Sequence, residues 1–321
     1  MGIFSLTQEI AVDLGTANTI IIHNDKIVVD EPSYVALDSK GKLVAVGEKA
    51  KMMQGKEHPG IRTIRPLRDG VIADFNAAEL MIRGLIKMVS SKHHWFSPSL
   101  RIVVCIPSGS TEVEIRAVRD SSEHAGGRDV EAPEGNMIVD IGGGTTEIAV
   151  ISLGGIVTNK SIRVAGDVLT EDIQEHMRRA HSMKVGERMA ELIKINVGST
   201  LTEMDNPPED YIVHGPNQMT ALPMEVPVSY QEISHCIEKS ILKIEAAILS
   251  ALESTPPELY ADIVRNGIYI SGGGALLRGL DKRLSEKIGI KFIVADDPLH
   301  AVAKGTGIAL KNRDKFSFLI R

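Results

Sequence analysis

Two segments of the chain place an aspartate just before a turn that contains glycine and hydroxyl residues, a pattern that suits the binding of phosphate groups. Residues 10–22 read IAVDLGTANTIII, and residues 138–150 read IVDIGGGTTEIAV. Because glycine has no Cβ atom, consecutive backbone N–H groups in such turns can approach a bulky anion and surround it. Each turn lies between two β-rich segments, so the repeat predicts two related domains that each open on a β-hairpin.

The two aspartates, Asp13 and Asp140, end the strands that lead into these turns. A carboxylate at this point would repel a phosphate, so each is expected to hold a cation, and Mg²⁺ keeps most of its waters while taking few protein ligands. The polar side chains of the turns are expected to donate hydrogen bonds to phosphate; they are Thr16, Asn18, Thr145 and Thr146. For either turn taken alone, the alternative to a phosphate site is an ordinary turn beside an aspartate that faces solvent. The presence of a second copy of the pattern makes this alternative weaker.

A third glycine cluster follows another apolar segment, in residues 267–280, which read GIYISGGGALLRGL. An apolar strand over 268–270 is expected to run into Ser271 and three glycines, with a helix starting at Ala275. This order of strand, glycines and helix would put helix N–H groups and bare backbone beside a ligand. The spacing matches neither the dinucleotide fingerprint nor the Walker P-loop.

The composition describes an ordinary soluble globular protein with enough apolar material for two domains. Of the 321 residues, 43% are hydrophobic and 24% are charged. A net charge of −6 provides no global basic field for nucleic acid. The chain has no apolar run of membrane-spanning length and no secretion signal at its start, which predicts a cytoplasmic protein. Cys105 and Cys236 lie far apart in apolar patterns and are interpreted as buried thiols.

Several elements that would carry these turns can be predicted from periodicity and capping signals. A helix is expected over 77–89, another over 184–196, and a third over 169–178 with Asp167 as its N-cap. A place in the lining of the binding cleft is the alternative for Asp167. Ser229 and Glu232 fit a capping box that opens a long helix through residue 252. Short strands are expected within 31–66, hairpin loops over 206–223, and a helix from the Thr255-Pro256-Pro257-Glu258 segment. The adjacent His93, His94 and Trp95 are interpreted as a surface loop.

The three glycine-bearing motifs AVDLGTANT, IVDIGGGTTE and YISGGGALLRGL resemble the phosphate-1, phosphate-2 and adenosine motifs of the actin, sugar-kinase and heat-shock-chaperone ATPase superfamily. Four further segments are similar to the MreB family of bacterial actin homologues. They are RPLRDGVIADF at 65–75, CIPSGSTEVEIRAV at 105–118, NPPEDYIVHGPNQMTALP at 206–223 and DPLHAVAKGTG at 297–307. The resemblance runs essentially from end to end.

The resemblance implies an α/β fold of the actin-like, two-lobed kind, in which duplicated ribonuclease-H-like domains flank a nucleotide cleft. The first lobe is expected to span 1–140, with a small upper subdomain at about 32–66. The second is expected to span 141–321, with a small subdomain at about 181–228. A C-terminal helix would pack back towards the first lobe.

The resemblance also implies a function: an ATP-binding cytoskeletal protein that forms membrane-associated filaments and organises cell-wall synthesis to maintain rod shape. The implied cofactors are ATP and Mg²⁺. The implied partners are further copies of the chain, the inner face of the cell membrane, and cell-wall synthesis and elongation proteins, with no nucleic acid. A small-molecule kinase and a chaperone-type ATPase of the same superfamily remain as alternatives. The kinase would need a catalytic Asp and a substrate pocket, and the chaperone a further domain beyond Arg321.

The resemblance assigns site residues to positions of this chain. The implied nucleotide contacts are Asp13, Leu14, Gly15, Thr16, Ala17, Asn18, Gly142, Gly143, Gly144, Thr145, Glu187, Ala190, Glu191, Lys194, Gly272, Gly273, Gly274 and Ala275. Asp13 and Asp140 would hold the metal through water, and Thr145 is a candidate contact for the γ-phosphate. Without the resemblance, the charged residues of 184–196 would be interpreted as a solvated helix face.

The chain departs from the MreB pattern after Val130, where a segment on the order of 15 residues, a strand plus a short helix, is missing. In the family that segment carries a glutamate that helps place the water attacking the γ-phosphate. Glu131 and Glu134 lie in a loop with proline and glycine and are expected to be solvated. No catalytic residue is therefore assigned, and hydrolysis is expected to be weak or absent.

Apolar clusters at both termini suggest attachment to a membrane surface. Ile3, Phe4 and Leu6 cluster near the N-terminus, and the C-terminal cluster is Phe316, Phe318, Leu319 and Ile320. Packing of either terminus against the body of the protein remains the alternative. The resemblance favours membrane attachment.

Overall fold

The computed structural model describes residues 7–90, 99–105, 134–153 and 155–311. Its strands in chain order are β1 (Thr7–Leu14), β2 (Asn18–His23), β3 (Lys26–Pro32), β4 (Val35–Asp38), β5 (Leu43–Val46), β6 (Ile61–Ile64), β7 (Leu67–Arg68), β8 (Val71–Ile72), β9 (Ser99–Cys105), β10 (Asn136–Ile141), β11 (Thr146–Ser152), β12 (Gly155–Ile162), β13 (Tyr211–Pro216), β14 (Pro223–Val228), β15 (Ile268–Ser271) and β16 (Phe292–Val294). Its α-helices are α1 (Glu48–Lys51), α2 (Phe75–Ser90), α3 (Gly166–His181), α4 (Glu187–Val197), α5 (Tyr230–Glu253), α6 (Pro257–Asn266), α7 (Leu280–Ile288) and α8 (Ala301–Lys311).

The chain divides into two compact units, Met1–Asp129 with Leu299–Arg321 (unit 1) and Val130–Pro298 (unit 2). Each unit has its own central sheet. None of the described helices is both long enough and apolar enough to cross a membrane.

The central sheet of unit 1 has the strand order β3-β2-β1-β9, in which β1 is antiparallel to β2 and parallel to β9. Alternate residues of β1 from Ile10 to Leu14 join a core cluster with Met81 of α2. On the opposite face of the sheet, Ala11 packs with Ala303 of α8. Because both faces are covered from Ile10 onward, this second part of β1 is a nearly continuous apolar run, and its one interruption is Asp13 at the end that leads to the turn.

The central sheet of unit 2 has the strand order β12-β11-β10-β15-β16, with β10 antiparallel to β11 and parallel to β15. The core beside it includes Met137 and Val139 of β10, Ile173 of α3 and Ile241 of α5. A smaller hairpin of β13 and β14 belongs to the same unit. The second glycine turn therefore leaves a central strand that is packed on helices.

The two units repeat one topology, and this confirms the predicted pair of hairpins. In unit 1 the antiparallel meander β1–β2–β3 has β9 as a parallel neighbour of β1; in unit 2 the meander β10–β11–β12 has β15 as a parallel neighbour of β10. The registers also correspond, because Leu14 pairs with Thr19 and Ile141 with Thr146 at the mouths of the two turns. Asp13 and Asp140 occupy equivalent places, one residue before the last pair.

Several local predictions are confirmed. Helix α2 extends the predicted span, with Met81 buried and Met88 38% exposed at its rim. Ser229 caps α5 by accepting a hydrogen bond from the Glu232 backbone N–H. Pro257 is the first residue of α6.

Two local predictions are wrong. Asp167 is not the N-cap of α3, because the helix already begins at Gly166 and its N-cap is Ala165, so Asp167 lies in the first turn. The α-helix after the third glycine cluster does not begin at Ala275. Residues Gly273–Leu276 form a 3₁₀ turn, and α7 begins only after Gly279, whose φ of 74° interrupts the helical path.

Some predictions lie outside the described residues. They concern the segments 1–6, 91–98, 106–133 and 312–321, and so include both apolar termini, the His93–Trp95 loop and Glu131. Cys105 ends β9, and Cys236 is a half-buried free thiol. The predicted lobe limits, small subdomains and position of the C-terminal helix stay predictions.

Candidate functional site

The glycine turn of unit 2 connects β10 to β11 and is closed by a hydrogen bond from the Gly142 N–H to the Thr145 carbonyl oxygen, 2.9 Å long. The first turn of α3 contacts the same segment. The Gly166 N–H donates to the Gly142 carbonyl oxygen at 3.1 Å, and the Asp167 N–H donates to the Gly143 carbonyl oxygen at 2.8 Å. The helix therefore holds the turn through its carbonyl groups.

This attachment fixes the direction of the N–H groups in the turn. A trans peptide unit points its carbonyl oxygen and its N–H in opposite directions. Because the carbonyl groups of Gly142 and Gly143 face α3, the N–H groups of Gly143 and Gly144 point away from the helix. Two neighbouring N–H groups on one side of a bare backbone make a suitable cradle for an anion. A Cβ on Gly166 would lie 3.3 Å from the Gly142 oxygen, so glycine also permits this close approach.

The third glycine cluster lies against the end of β10. Strand β15 pairs with β10 so that Ser271 stands opposite Asp140, and the Ser271 hydroxyl donates to Asp140 Oδ1 at 2.7 Å. A Cβ on Gly272 would lie 2.3 Å from the Ile141 carbonyl oxygen, and one on Gly274 would lie 2.2 Å from Ile141 Cγ2. The sheet thus brings together two of the glycine clusters, which are about 130 residues apart in the chain.

Asp140 is a partly buried carboxylate at the end of a buried strand. Burial raises the pKa of Asp140 to about 6, the Ser271 hydrogen bond opposes this rise, and the negative charge of Glu147 adds to it. A raised pKa means that the negative charge is poorly compensated in the protein alone. A cation beside this carboxylate would supply the missing compensation.

Helix α4 packs beside α3 through a polar cluster. Lys194 Nζ donates to the Gly166 carbonyl oxygen at 2.8 Å, to Thr170 Oγ1 at 2.9 Å and to Glu191 Oε2 at 2.6 Å. These three acceptors match the three protons of an ammonium group. Lys194 therefore ties α4 to the amino-terminal end of α3, which itself holds the glycine turn. Ala190 is buried in the core of unit 2.

The loop after the third glycine cluster reaches the carboxyl-terminal end of α4, where Lys194 also lies. Arg278 Nη1 donates to the carbonyl oxygens of Ile195 and Gly198 at 3.0 and 3.2 Å. The N–H of Thr200 donates to the Arg278 carbonyl oxygen at 2.9 Å. The carboxyl-terminal end of α4 is thus bonded to the start of α3 through Lys194 and to the loop after the 3₁₀ turn through Arg278.

Thr146 does not serve as the phosphate donor that the sequence predicts. Its side chain is fully buried, and its hydroxyl donates to the Val164 carbonyl oxygen at 2.7 Å. This bond joins β11 to the segment before α3, so Thr146 supports the site from behind. Thr145, one residue earlier, is partly exposed.

The glycine turn of unit 1 is held by neighbouring loops. The Ser33 hydroxyl donates to the Gly15 carbonyl oxygen at 2.6 Å, and the Ser33 N–H donates to the Ala17 carbonyl oxygen at 2.9 Å. The Gly70 N–H donates to Thr16 Oγ1 at 3.3 Å. A Cβ on Gly15 would lie 2.6 Å from the Asn18 carbonyl oxygen, so this turn also requires glycine at that position.

The structure brings together most of the predicted residues within each unit. In unit 1, the segment from Asp13 to Asn18 forms one turn. In unit 2, the second and third glycine clusters meet at β10. Helix α4 is bonded to the start of α3 by its own Lys194, and the loop after the third cluster is bonded to α4 by Arg278. That the two turns face one nucleotide stays a prediction.

Sequence reasoning missed Ser271 as the partner of Asp140, and Gly166 and Thr170 as supports of the turn. In the sequence, Ser271 stands out only as the residue before three glycines. Its role depends on the parallel pairing of β15 with β10, which no local pattern encodes. Gly166 could have been suspected, because a glycine at the start of a helix often permits close approach of another backbone.

The chain is similar over nearly its whole length to a known protein family and to several of its members. The family model described as MreB/Mbl protein matches residues 7–317. The cell shape-determining protein Mbl of Bacillus subtilis (strain 168) is 41% identical over 327 residues, covering 96% of this chain and 97% of the relative. The cell shape-determining protein MreB of Escherichia coli (strain K12) is 42% identical over 340 residues, covering 98% of this chain and 95% of the relative.

Solved structures show the same fold. The crystal structure of MreB5 of Spiroplasma citri bound to AMPPNP matches with a TM-score of 0.87 at 34% identity, covering 97% of this chain and 98% of that chain. The ADP-bound form of MreB5 matches with the same values. The MamK double helical filament matches with a TM-score of 0.75 at 20% identity, covering 95% of this chain and 99% of that chain. The fold is therefore actin-like.

Proposed function

Because this chain belongs to the MreB/Mbl family, we propose that it is an ATP-binding, actin-like cytoskeletal protein that forms filaments and maintains rod shape. Its curated relatives at 41–42% identity carry the name cell shape-determining protein. The MreB5 structures, at 34% identity, contain AMPPNP or ADP. Residues equivalent in type and spacing to a phosphate-binding site are present in both units of this chain.

One observation of the structure carries the nucleotide part of this proposal. In unit 2, the glycine turn is fixed by α3 through its carbonyl oxygens, which leaves the N–H groups of Gly143 and Gly144 on the opposite side. The third glycine cluster lies directly beside it, at the end of the neighbouring strand. This arrangement offers backbone donors to phosphates next to a second glycine segment, which suits a nucleotide.

The residues present also fit a magnesium ion. Asp140 stands at the mouth of the turn with a partly buried carboxylate whose pKa is raised, and Asp13 holds the equivalent place in unit 1. We propose that these two carboxylates hold Mg²⁺, mainly through its water ligands. The ion would neutralise charge on the phosphates and on Asp140 together.

Each group of residues then has a distinct task in binding. The turns at 13–18 and 140–145 supply N–H donors to the phosphates, with Thr145 near the terminal phosphate. The cluster at 272–275 lets the adenosine approach the backbone. Helix α4 contributes Glu187, Glu191 and Lys194 to the ribose and base, and Lys194 would have to give up one of its three partners to do so.

Self-association is the second part of the proposal, and it separates a filament protein from a kinase or a chaperone ATPase. We expect the purified chain to sediment after addition of ATP and Mg²⁺ and to show filaments by electron microscopy. The same preparation with Mg²⁺ removed by chelation is the control. Soluble, monomeric protein that phosphorylates a small molecule would contradict the proposal.

Hydrolysis is proposed to be slow, because the segment that carries the family glutamate is missing and Glu134 is not placed to replace it. Glu134 precedes β10, whereas Asp140 lies near its end, so the strand holds them roughly 20 Å apart. The segment at Glu134, before the start of β10, is bonded to α6, because the Gly135 N–H donates to Asp262 Oδ2 at 2.9 Å. The alignment to the Escherichia coli relative covers 340 residues, more than this chain has, so that relative carries residues absent here.

The chain is therefore expected to bind ATP with ordinary affinity but to release phosphate at least tenfold more slowly than a relative with the complete segment. A phosphate-release assay run on both proteins under polymerising conditions measures this. Equal turnover would show that another carboxylate orients the water and would contradict the proposed defect.

Membrane attachment and the cytoplasmic location remain proposals from the sequence pattern and the family. They rest on Ile3, Phe4 and Leu6, which lie outside the described residues. Liposome flotation of the intact protein and of Phe4→Ser tests them, and equal flotation of both would remove Phe4 from the proposed anchor. Association with cell-wall synthesis and elongation proteins is proposed from the family alone.

A further inference from the structure

Two histidines and a glutamate of unit 2 converge between helices α3 and α5. His176 and His181 lie in the carboxyl-terminal half of α3, and Glu232 lies in the first turn of α5. His176 Nε2 lies 2.5 Å from Glu232 Oε1, and His181 Nε2 contacts the same oxygen. One ligand atom from each residue falls within 4.8 Å of the other two.

We propose that His176, His181 and Glu232 bind a divalent transition-metal ion, for which Zn²⁺ is the best match. Two imidazole nitrogens and one carboxylate oxygen form a typical zinc ligand set, with water in the fourth position. Ligand atoms around tetrahedral zinc lie roughly 3.3 Å apart, given bond lengths of about 2.0–2.1 Å. The three side chains would need only small rotations to reach that spacing. Imidazole ligands disfavour Mg²⁺ and Ca²⁺, which prefer oxygen.

The helices hold the three groups in place without closing the site. The Ser229 cap fixes the first turn of α5, where Glu232 stands, through a hydrogen bond of 3.2 Å to the Glu232 N–H. The two imidazole rings are nearly perpendicular, at 77°, with centroids 5.9 Å apart, so they approach the same point from different directions. The three side chains are 22–25% exposed, which leaves room for an ion and a water to enter.

The surrounding charges are compatible with a cation. The carboxyl-terminal end of α3 carries partial negative charge and attracts one. The amino-terminal end of α5 carries partial positive charge, which repels a cation, and the negative charge of the Glu232 carboxylate offsets this repulsion. Cys236 follows Glu232 by one helical turn, but burial together with the charges of Asp172 and Glu232 raises the pKa of its thiol to about 12. The ligand set is limited to the three side chains whose ligand atoms lie within 4.8 Å of one another, and Cys236 is not one of them.

The competing arrangement is a hydrogen-bonded triad without metal. In that arrangement both imidazoles carry their proton on Nε2 and donate it to Glu232 Oε1. In the metal-bound arrangement the Nε2 lone pairs face the ion, and the proton of each ring sits on Nδ1. The two arrangements differ in whether the protein takes up zinc, which can be measured directly.

The metal site would lie at the opposite end of α3 from the glycine turn. Helix α3 has 16 residues and so is about 24 Å long. An ion at this place would tie α3 to α5 without touching the predicted nucleotide contacts. The inference is thus independent of nucleotide binding, and its failure would leave the proposed function unaffected.

The test is zinc titration of the chelator-treated full chain by calorimetry, in millimolar Mg²⁺ and without nucleotide. We expect one Zn²⁺ per chain with micromolar or tighter affinity. His176→Gln and His181→Gln are each expected to weaken binding at least tenfold. The matched control is His235→Gln, an exposed histidine on α5 whose Nδ1 lies 2.7 Å from the Gln231 carbonyl oxygen, and it is expected to bind zinc like the unmodified protein.

No stoichiometric zinc uptake, or uptake that survives both histidine substitutions, would overturn the proposal. Cobalt provides a second measurement on the unmodified protein, in case the variants fold poorly. Bound Co²⁺ with the intense visible absorption of a four-coordinate ion would support the site. The weak absorption of hydrated, six-coordinate Co²⁺ would count against it.

Discussion

Replacing Asp140 with asparagine is expected to stabilise the nucleotide-free protein and, at the same time, to reduce its affinity for Mg-ATP at least tenfold. Asparagine keeps an oxygen that can accept the Ser271 hydrogen bond but removes the partly buried charge. The loss of the charge also removes the proposed magnesium contact. Few substitutions in the described chain should move stability and ligand affinity so far in opposite directions.

The pH dependence of this effect follows from the raised pKa. Burial lifts the pKa of Asp140 from 3.8 to about 6, so between these values the folded protein binds the extra proton and the unfolded chain does not. The wild-type free energy of unfolding therefore falls as pH rises from about 4 to 6, and the full penalty is present above 6. The gain in Asp140→Asn should be on the order of 1–3 kcal/mol at pH 8 and should shrink towards pH 4.

Urea denaturation at pH 5 and pH 8, without Mg²⁺ or nucleotide, measures the stability, and a fluorescent ATP analogue measures the affinity. Asp205→Asn is the matched control, because it makes the same chemical change at an exposed loop position. It should alter neither quantity. If Asp140→Asn lost stability equally at both pH values, or kept its full Mg-ATP affinity, the assignment of Asp140 would be wrong.

Replacing Gly272 with alanine is expected to lower the free energy of unfolding by about 3–5 kcal/mol and to abolish nucleotide binding. Gly272 has a φ of 80°, and its added Cβ would lie 2.3 Å from the Ile141 carbonyl oxygen and 2.6 Å from the Ile141 carbonyl carbon. Backbone atoms of a central strand cannot move aside cheaply. The substitution would therefore separate β15 from β10 where the second and third glycine clusters meet.

Gly289→Ala measures the cost of a positive φ without a clash. Gly289 has a φ of 77° and a ψ of 13°, in the left-handed helical region, whereas Gly272 has a ψ of 172°; a Cβ on Gly289 would meet nothing within 4 Å. Its cost should be only the left-handed backbone penalty of about 1–2 kcal/mol, with nucleotide binding intact. Chemical denaturation of both variants gives the difference. Equal losses in the two would mean that the contact with Ile141 does not matter.

Local signals in the sequence were enough to predict the two hairpins and most of the helices. The segments around Asp13 and Asp140 contain both strands and the turn of one hairpin, so their pairing needs no information from elsewhere. The Ser229 cap is equally local, since donor and acceptor are three residues apart. The same holds for Pro257 at the start of α6.

The errors lie where tertiary contacts override local patterns. Asp167 has the right type for an N-cap, but the N–H groups of Gly166 and Asp167 are needed to hold the carbonyl groups of the glycine turn, so the helix starts earlier. Ala275 could continue a helix by composition, but packing of Gly272 and Gly274 against Ile141 sets the backbone there. Tertiary packing decides such positions because intrinsic helix preferences are weak.

The groups that sequence reasoning missed are joined across long separations. Ser271 and Asp140 are 131 residues apart, and Glu232 lies 51 residues beyond His181. Neither pair has a recognisable motif. The histidines are five residues apart, a spacing that becomes informative only when α5 brings a carboxylate between them.

The most direct measurement of the central claim is a double-mutant cycle on Asp13→Asn and Asp140→Asn, with Mg-ATP affinity as the readout. If both carboxylates act on one magnesium ion held between the two turns, either single substitution already removes most of the contribution of that ion to Mg-ATP affinity. The fold-loss of affinity in the double variant is then much smaller than the product of the two single fold-losses. If the losses multiply, the two aspartates act independently, and a shared Mg-nucleotide site between the duplicated turns is contradicted.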